Sequence, residues 1–403
     1  MIWRTNTLAN RAPLICALLL SAVPLAGAES DVATATYNSS AAAMLVGGQL
    51  DKLTQAIATY ADIRANGGWQ SVPVASLTLR AGQRDTTVRT LRRRLRLTGD
   101  YMAEMGADPL LFDAGLTLAL QRFQRRHGLY ADGRISSLTV DALNLSVEAR
   151  IAELEYARAA WTALSSQTST KSVWVNIPEA EIAALSDAQI ALRMRVVVGH
   201  PSRPTPQLNS QINRVIVDPY WNVPQSIALQ DLLPRQQADP QFFSRKGIRV
   251  YANWQDDARE LEPAAIDWVA LGNAHFPYRL RQDPGPENSL GRYKFDFPND
   301  FDVYIHDTPS QALLGLSMRS LSSGCVRVED SAALARWLMV DMPNVERQLT
   351  IDANRRTRSI RLPYPVPVNF VYLNAWVGAA DGAVQFRRDI YGLTLATDLT
   401  AAR

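Results

Sequence analysis

The sequence predicts an α+β protein of several domains, with a helical first part and a mostly β second part that carries a long insertion. Three observations support this. Apolar residues recur at helical spacing from Leu53 to Trp161. Past residue 171 the rhythm changes to β-branched and aromatic alternation. Pro219, Pro224, Pro234 and Pro240 then break up a variable stretch that reaches Pro286. A chain of 403 residues with 47% hydrophobic and 20% charged side chains has material for two or three cores and is not of disordered composition.

The elements follow in order. Residues 1–28 read as a secretory signal: Arg4 and Arg11 form a basic start, Pro13 to Leu25 is too short to span a bilayer, and Ala26-Gly27-Ala28 suits cleavage. Export from the cytoplasm is therefore expected. Cys16 would leave with the signal, making Cys325 the lone thiol of the mature chain, either an inert buried residue or a working one. Loss of the two arginines takes the formal charge from +3 to +1, which disfavours nucleic acid as a partner.

Residues 29–78 form a helical scaffold, with Leu53, Ile57, Tyr60 and Ile63 on one face and Gly67-Gly68 as the stop. Residues 79–145 are short helices joined by tight turns. Val88, Leu91 and Leu95 repeat at helical spacing, as do Leu116, Leu120 and Phe123, and His127 reads as a turn residue. The arginines at 80, 84, 89, 92, 93, 94 and 96 read as a solvated helix face. Residues 146–170 hold a helix with Ser146 as its cap, followed by a polar linker. Residues 171–345 form a β domain with a lid-like insertion at about 223–286. Residues 346–403 form a β-rich C-terminal extension.

Alternation along the strands sorts the candidate chemistry. In Phe301-Asp302-Val303-Tyr304-Ile305-His306 the apolar residues at 301, 303 and 305 are expected inward, which leaves Tyr304 and His306 on the other face. In Ser323-Gly324-Cys325-Val326-Arg327-Val328 the same rule buries Val326 and Val328 and groups Ser323, Cys325 and Arg327. If the two strands are neighbours, a thiol, an imidazole, a phenol and a guanidinium converge. Such a group suits acyl transfer, with His306 taking the thiol proton and holding an ion pair with the thiolate. The backbone N–H groups around Ser323, Gly324 and Cys325 would face the oxyanion. Arg327 would hold a substrate carboxylate. Periodicity leaves the adjacency of the two strands open. Trp221 is a candidate for closing over substrate. His200 and His275 have no partners at metal spacing, and neither a metal nor a cofactor is expected.

The segments His306-Asp307-Thr308 and Ser322-Ser323-Gly324-Cys325-Val326-Arg327, with nineteen residues from histidine to cysteine, resemble the signature of L,D-transpeptidases with a YkuD-type catalytic domain. Gly285 to Phe295 and Tyr220-Trp221-Asn222-Val223-Pro224 resemble the larger Gram-negative branch of that family. Leu79-Arg80-Ala81-Gly82, Phe123-Gln124, His127-Gly128-Leu129 and Asp132-Gly133-Arg134 resemble a small three-helix peptidoglycan-binding module. The resemblance implies Cys325 as nucleophile, His306 as general base and acid, and the Asp307 carbonyl as the group that orients His306. Ser323 stands where the common form of the family has a second histidine. The implied partners are peptidoglycan tetrapeptide stems, together with other wall-synthesis enzymes. The implied product is a direct cross-link between third-position diaminopimelate residues with release of D-alanine, and carbapenem acylation of Cys325 is implied as well. Three alternatives remain: an L,D-carboxypeptidase, attachment of a protein to the wall through the same acyl-enzyme, and a non-catalytic wall-binding protein.

Overall fold

A computed structural model describes residues 38–102, 108–164, 170–187, 189–255, 257–271, 276–351 and 356–394. The expected signal with Cys16, His275 and most of the polar linker lie outside the described residues. None of the described helices is long and apolar enough to cross a membrane.

Six helices come first: α1 (Ser40–Val46), α2 (Gln49–Ala65), α3 (Thr87–Leu97), α4 (Ala114–Arg126), α5 (Ser137–Asn144) and α6 (Val147–Leu164). Their starts follow local capping chemistry. The Asp113 carboxylate accepts from the Leu116 N–H at 2.8 Å, and the Ser146 hydroxyl accepts from the Ala149 N–H at 3.2 Å. Val88, Leu91, Leu95, Leu116, Leu120 and Phe123 close a small core of their own between α3, α4 and α5.

The arginine-rich stretch is only partly a solvated face. Arg92 and Arg94 are buried. Arg92 pairs with Asp113 at 2.6 Å. The Arg94 guanidinium stacks 3.7 Å over the Trp69 ring and donates to the Leu143 carbonyl at 2.9 Å. A long stem ending in a planar donor can enter a core wherever carbonyls and a ring receive it. His127 caps α4 but is also buried, stacked on Phe123 at 3.8 Å and on Phe386 at 5.4 Å.

Strands then dominate. They are β1 (Lys171–Asn176), β2 (Glu181–Ser186), β3 (Gln189–Gly199), β4 (Leu208–Val217), β5 (Trp221–Asn222), β6 (Ile248–Tyr251), β7 (Glu260–Leu261), β8 (Arg279–Gln282), β9 (Tyr293–Asp296), β10 (Ile305–His306), β11 (Ser320–Ser322), β12 (Val326–Val328), β13 (Arg358–Val371), β14 (Ala375–Val377) and β15 (Val384–Phe386). The main sheet runs β11-β3-β12-β10-β9-β4-β13-β1-β2, and a further β2–β3 pairing closes it on itself. A helix, α7 (Ser331–Leu338), follows β12 and is capped by the Asp330 side chain, with Leu334 and Leu338 buried in the main core. The insertion folds into its own four-stranded sheet, β5-β8-β6-β7, around Trp221, Phe243, Trp268 and Phe276.

Two expectations are corrected. The described residues between 346 and 394 are not an extension apart from the β domain, because β13 lies inside the main sheet between β4 and β1. The hairpin β14–β15 then packs with α2 and α6 through Trp376, Phe386, Tyr60 and Trp161. Strand pairing also does not begin at Phe301, which is 57% exposed. The Asn299 carbonyl oxygen Oδ1 accepts from the N–H groups of Phe301 (3.0 Å) and Val303 (3.2 Å), and Asp302 sits at φ 53°. Local side-chain bonding therefore displaces the ladder there.

Candidate active site

Four strands build the site. β10 pairs in parallel with β12, setting Ile305 against Val326 and His306 against Arg327. β9 lies on the other flank of β10, with Lys294 opposite His306. β3 flanks β12, with Val197 opposite Arg327. The register is held by the inward residues, since Ile305, Val326 and Val328 are completely buried. A slip by one residue would expose all three, at roughly 2 kcal/mol each. The pairing that periodicity left open is thus present, and the outward residues Ser323, Cys325 and Arg327 are half-buried together.

The turn before β12 presents the thiol. Gly324 has φ 115°, a conformation that suits glycine. The Gly324 N–H, expected to face an oxyanion, instead donates to the Ser322 hydroxyl at 3.2 Å, and that hydroxyl donates to the Cys325 carbonyl at 2.6 Å. The N–H groups of Ser323 and Cys325 make no hydrogen bond to the described residues and are the donors left for an oxyanion. Distant residues clamp the same turn. The Thr205 hydroxyl donates to the Gly324 carbonyl at 2.7 Å and accepts from the Gly199 N–H at 2.8 Å, while the Tyr391 hydroxyl accepts from the Thr205 N–H at 3.0 Å and donates to the Gly199 carbonyl at 2.8 Å.

His306 is 4% exposed, and its Nδ1 lies 2.6 Å from the Asp307 carbonyl oxygen. That contact puts the ring proton on Nδ1 and leaves Nε2 as the basic nitrogen. The Asp307 carboxylate accepts instead from the Arg292 N–H at 2.8 Å. A β-carbon on Gly291 would fall 2.4 Å from that carboxylate, so only glycine fits beside Asp307 at this position, where φ is 62°.

Charge states follow from burial. Desolvation, with the Arg327 charge next, pushes His306 down to about 3. Desolvation pushes the Cys325 thiol up, against the opposing pull of Tyr304, Lys294 and Arg327. Burial thus disfavours both charged forms, the thiolate and the imidazolium. The two side chains do not hydrogen-bond each other in this ligand-free structure. Catalytic hydrogen bonds commonly tighten only once substrate is bound.

Tyr304 borders Cys325 on one side and Trp221 on the other, and burial with the thiol beside it raises its hydroxyl well above 10. Trp221 is buried in the core of the insertion and reaches the site through Tyr304. Arg327 makes no ion pair among the described residues, its buried Nε has no hydrogen-bond partner, and desolvation lowers its pKa. Lys294 also belongs to the site, opposite His306 on β9. Its ammonium lies 4.2 Å from the centre of the Tyr304 ring and 3.1 Å from Asp296. Tyr293-Lys294-Phe295 carried a usable signal: two buried aromatics flank the lysine and turn it to the face of His306.

Residues 170–347 match the family model described as the L,D-transpeptidase catalytic domain, and residues 84–143 match that described as "Putative peptidoglycan binding domain". The chain thus carries an L,D-transpeptidase catalytic domain behind an N-terminal peptidoglycan-binding domain. It is similar to a "Putative L,D-transpeptidase" of Haemophilus influenzae, 38% identical over 221 residues, which cover 55% of this chain and 44% of that protein. The match thus spans less than half of the relative's length. Among solved structures, the L,D-transpeptidase from Mycobacterium smegmatis aligns at 13% identity over 50% of this chain and 58% of that one, with a TM-score of 0.25. That from Stackebrandtia nassauensis aligns at 13% identity over 73% and 95%, with a TM-score of 0.27. The domain assignment rests on the family models and the curated relative, because structural likeness at these scores is too loose to bear on it.

Proposed function

We propose that the protein is a periplasmic L,D-transpeptidase, exported by the signal at 1–28, that forms direct cross-links between third-position diaminopimelate residues of peptidoglycan stems. The observation that carries this reading is the β10–β12 register, which sets His306 beside Arg327 and Tyr304 beside Cys325. In the first half-reaction the Cys325 sulfur attacks the carbonyl of the third residue and its proton passes to His306 Nε2. The peptide bond to the terminal D-alanine breaks, and the proton leaves with the new amine. In the second half-reaction the side-chain amine of another stem attacks the thioester, gives its proton to His306, and the sulfur departs.

The steps begin from the neutral forms that burial favours. The neutral Nε2 can accept a proton, but pushed to about 3 it is a weak base, so the thiol gives up its proton as the sulfur bonds the carbonyl carbon and not beforehand. Arg327, buried and without an anionic partner, suits a stem carboxylate. The N–H groups of Cys325 and Ser323 suit the tetrahedral oxyanion. The test is incubation of the purified enzyme with tetrapeptide muropeptides and identification of the products by mass. A dimer joined through two third residues, with free D-alanine, is the expected result. Tripeptide release without dimer would replace the reading with a carboxypeptidase, and no product at all would reject it.

A further inference from the structure

A large cavity lies away from the thiol. It is a groove of about 1220 Å³ between the helical module and the catalytic domain, and none of Tyr304, His306, Cys325 or Arg327 lines it. One wall is α2 and α4; the other is β2, β3, the loop before β11 and the residues around β15. The walls are fastened at one side, where the Arg387 guanidinium donates to the Arg126 carbonyl at 3.3 Å and His127 stacks on Phe386.

The groove is rich in cations, and their pairing is uneven. Arg126 is held by Asp100, Arg193 by Glu181, Arg195 by Glu329 and Arg387 by Glu179. Lys52, Arg122, Arg125, Arg319 and Arg388 also line it and form no ion pair with any described residue. Arg319 is satisfied by carbonyls alone, those of Leu316, Val196, Glu179 and Ala180. Arg125 and Arg388 are exposed on opposite walls. Asp381, the remaining acid of the lining, is engaged by Asn38. A cleft whose acids are all engaged while five cations lack an ion-pair partner among the described residues concentrates positive potential and favours a ligand bearing repeated carboxylates.

We propose that this groove is a second binding site for a stem-bearing peptidoglycan chain, gripped through the carboxylates of its peptides by Arg125, Arg388, Arg122 and Lys52. The proposal rests on the function proposed above. Charge complementarity argues for it, as does the position of Arg122 and Arg125 on α4, inside the segment that matches the peptidoglycan-binding model. A chain seated there bridges the module and the catalytic domain, so the enzyme would act on a polymer it already holds.

The test uses the mature full-length protein with Cys325→Ala, and measures affinity for soluble glycan chains with and without their stems, and for poly-glutamate. The variant pair Arg125→Glu/Arg388→Glu changes only exposed side chains, and Lys52→Glu probes α2. The expected result is a loss of affinity of at least about tenfold for stem-bearing chains in the double variant and a smaller loss in Lys52→Glu. Binding should weaken steeply with salt. The same substitutions on an intact Cys325 should leave the rate of carbapenem acylation and turnover of a single short tetrapeptide unchanged. Unchanged affinity in the double variant overturns the proposal, as does equal binding of stem-free glycan. Equal binding of poly-glutamate overturns it in favour of an acidic protein partner. Failure of the proposed function is separate, since it would appear as no product from the short tetrapeptide.

Discussion

The helical module and the catalytic strand pair each contain a buried arginine without a carboxylate, and the two are treated differently. Arg94 is fully enclosed. Its guanidinium lies on Trp69, bonds the Leu143 carbonyl and lies 3.3 Å from the Thr98 hydroxyl, and desolvation brings its pKa down to about 9. Arg327 is half-buried, has no ring beneath it and keeps a buried Nε with no partner. The module has satisfied its buried cation from within. The catalytic domain has left its own cation unsatisfied, at a cost that a substrate carboxylate would offset. An unmet Nε alone does not set Arg327 apart, since those of Arg92 and Arg150 are unpartnered too; what separates it from them is that both have a carboxylate partner and Arg327 has none among the described residues.

The contrast can be broken or sharpened by experiment. The largest effect belongs to the thiol. Cys325→Ala is expected to lower cross-link formation by at least about 10³-fold with an unchanged circular dichroism spectrum, because no other group can form the thioester. Retained product in that variant would remove the basis of the site. Next comes the arginine pair. Arg327→Met is expected to lower kcat/KM on tetrapeptide stems by about 10- to 100-fold, the size of one charge-assisted bond of roughly 1.5–3 kcal/mol, without loss of stability. Arg94→Met should do the reverse. Its denaturation midpoint should fall by about 1 kcal/mol equivalent, from the orphaned Leu143 carbonyl, with turnover per folded molecule intact. Equal loss of activity in both would erase the distinction.

The remaining predictions are smaller. His306 titrates near 3 in the folded chain and near 6.5 when unfolded, so between those values the unfolded state binds the extra proton. The stability that the neutral ring allows is complete above pH 6.5 and is lost as pH falls toward 3. His306→Asn should therefore lose about 2 kcal/mol less than the native protein between pH 7 and pH 4.5 in urea titrations. An identical slope in both would place the titration elsewhere. Lys294 pulls the thiol pKa down, so Lys294→Met should raise it and shift the pH profile of iodoacetamide alkylation to the alkaline side. A several-fold slower reaction at pH 7 is expected, whereas an unshifted profile would make Lys294 only a support for Tyr304.

What the sequence made legible was local. Capping at Ser146, the helical faces of Val88, Leu91 and Leu95, and the alternation around Cys325 all depend on residues a few positions apart. Most of what it did not show depends on distant partners, and one case on the closed shape of a turn. Arg92 and Arg94 read as solvent-facing because Asp113, Trp69 and Leu143 come from other turns of the chain. The Gly324 N–H read as free because its acceptor, the Ser322 hydroxyl, is reached only once the turn has closed. β13 read as an appendage because both its neighbours, β1 and β4, precede it by well over a hundred residues.

That late strand bears on the order in which the site is completed. β13 completes the sheet from within, and Tyr391, further along still, fastens Thr205 and through it the turn that bears Cys325. A chain that has emerged only as far as its thiol has neither. Contacts this distant in sequence are slow to close, so the clamp on the turn that bears Cys325 is complete only once Tyr391 has docked.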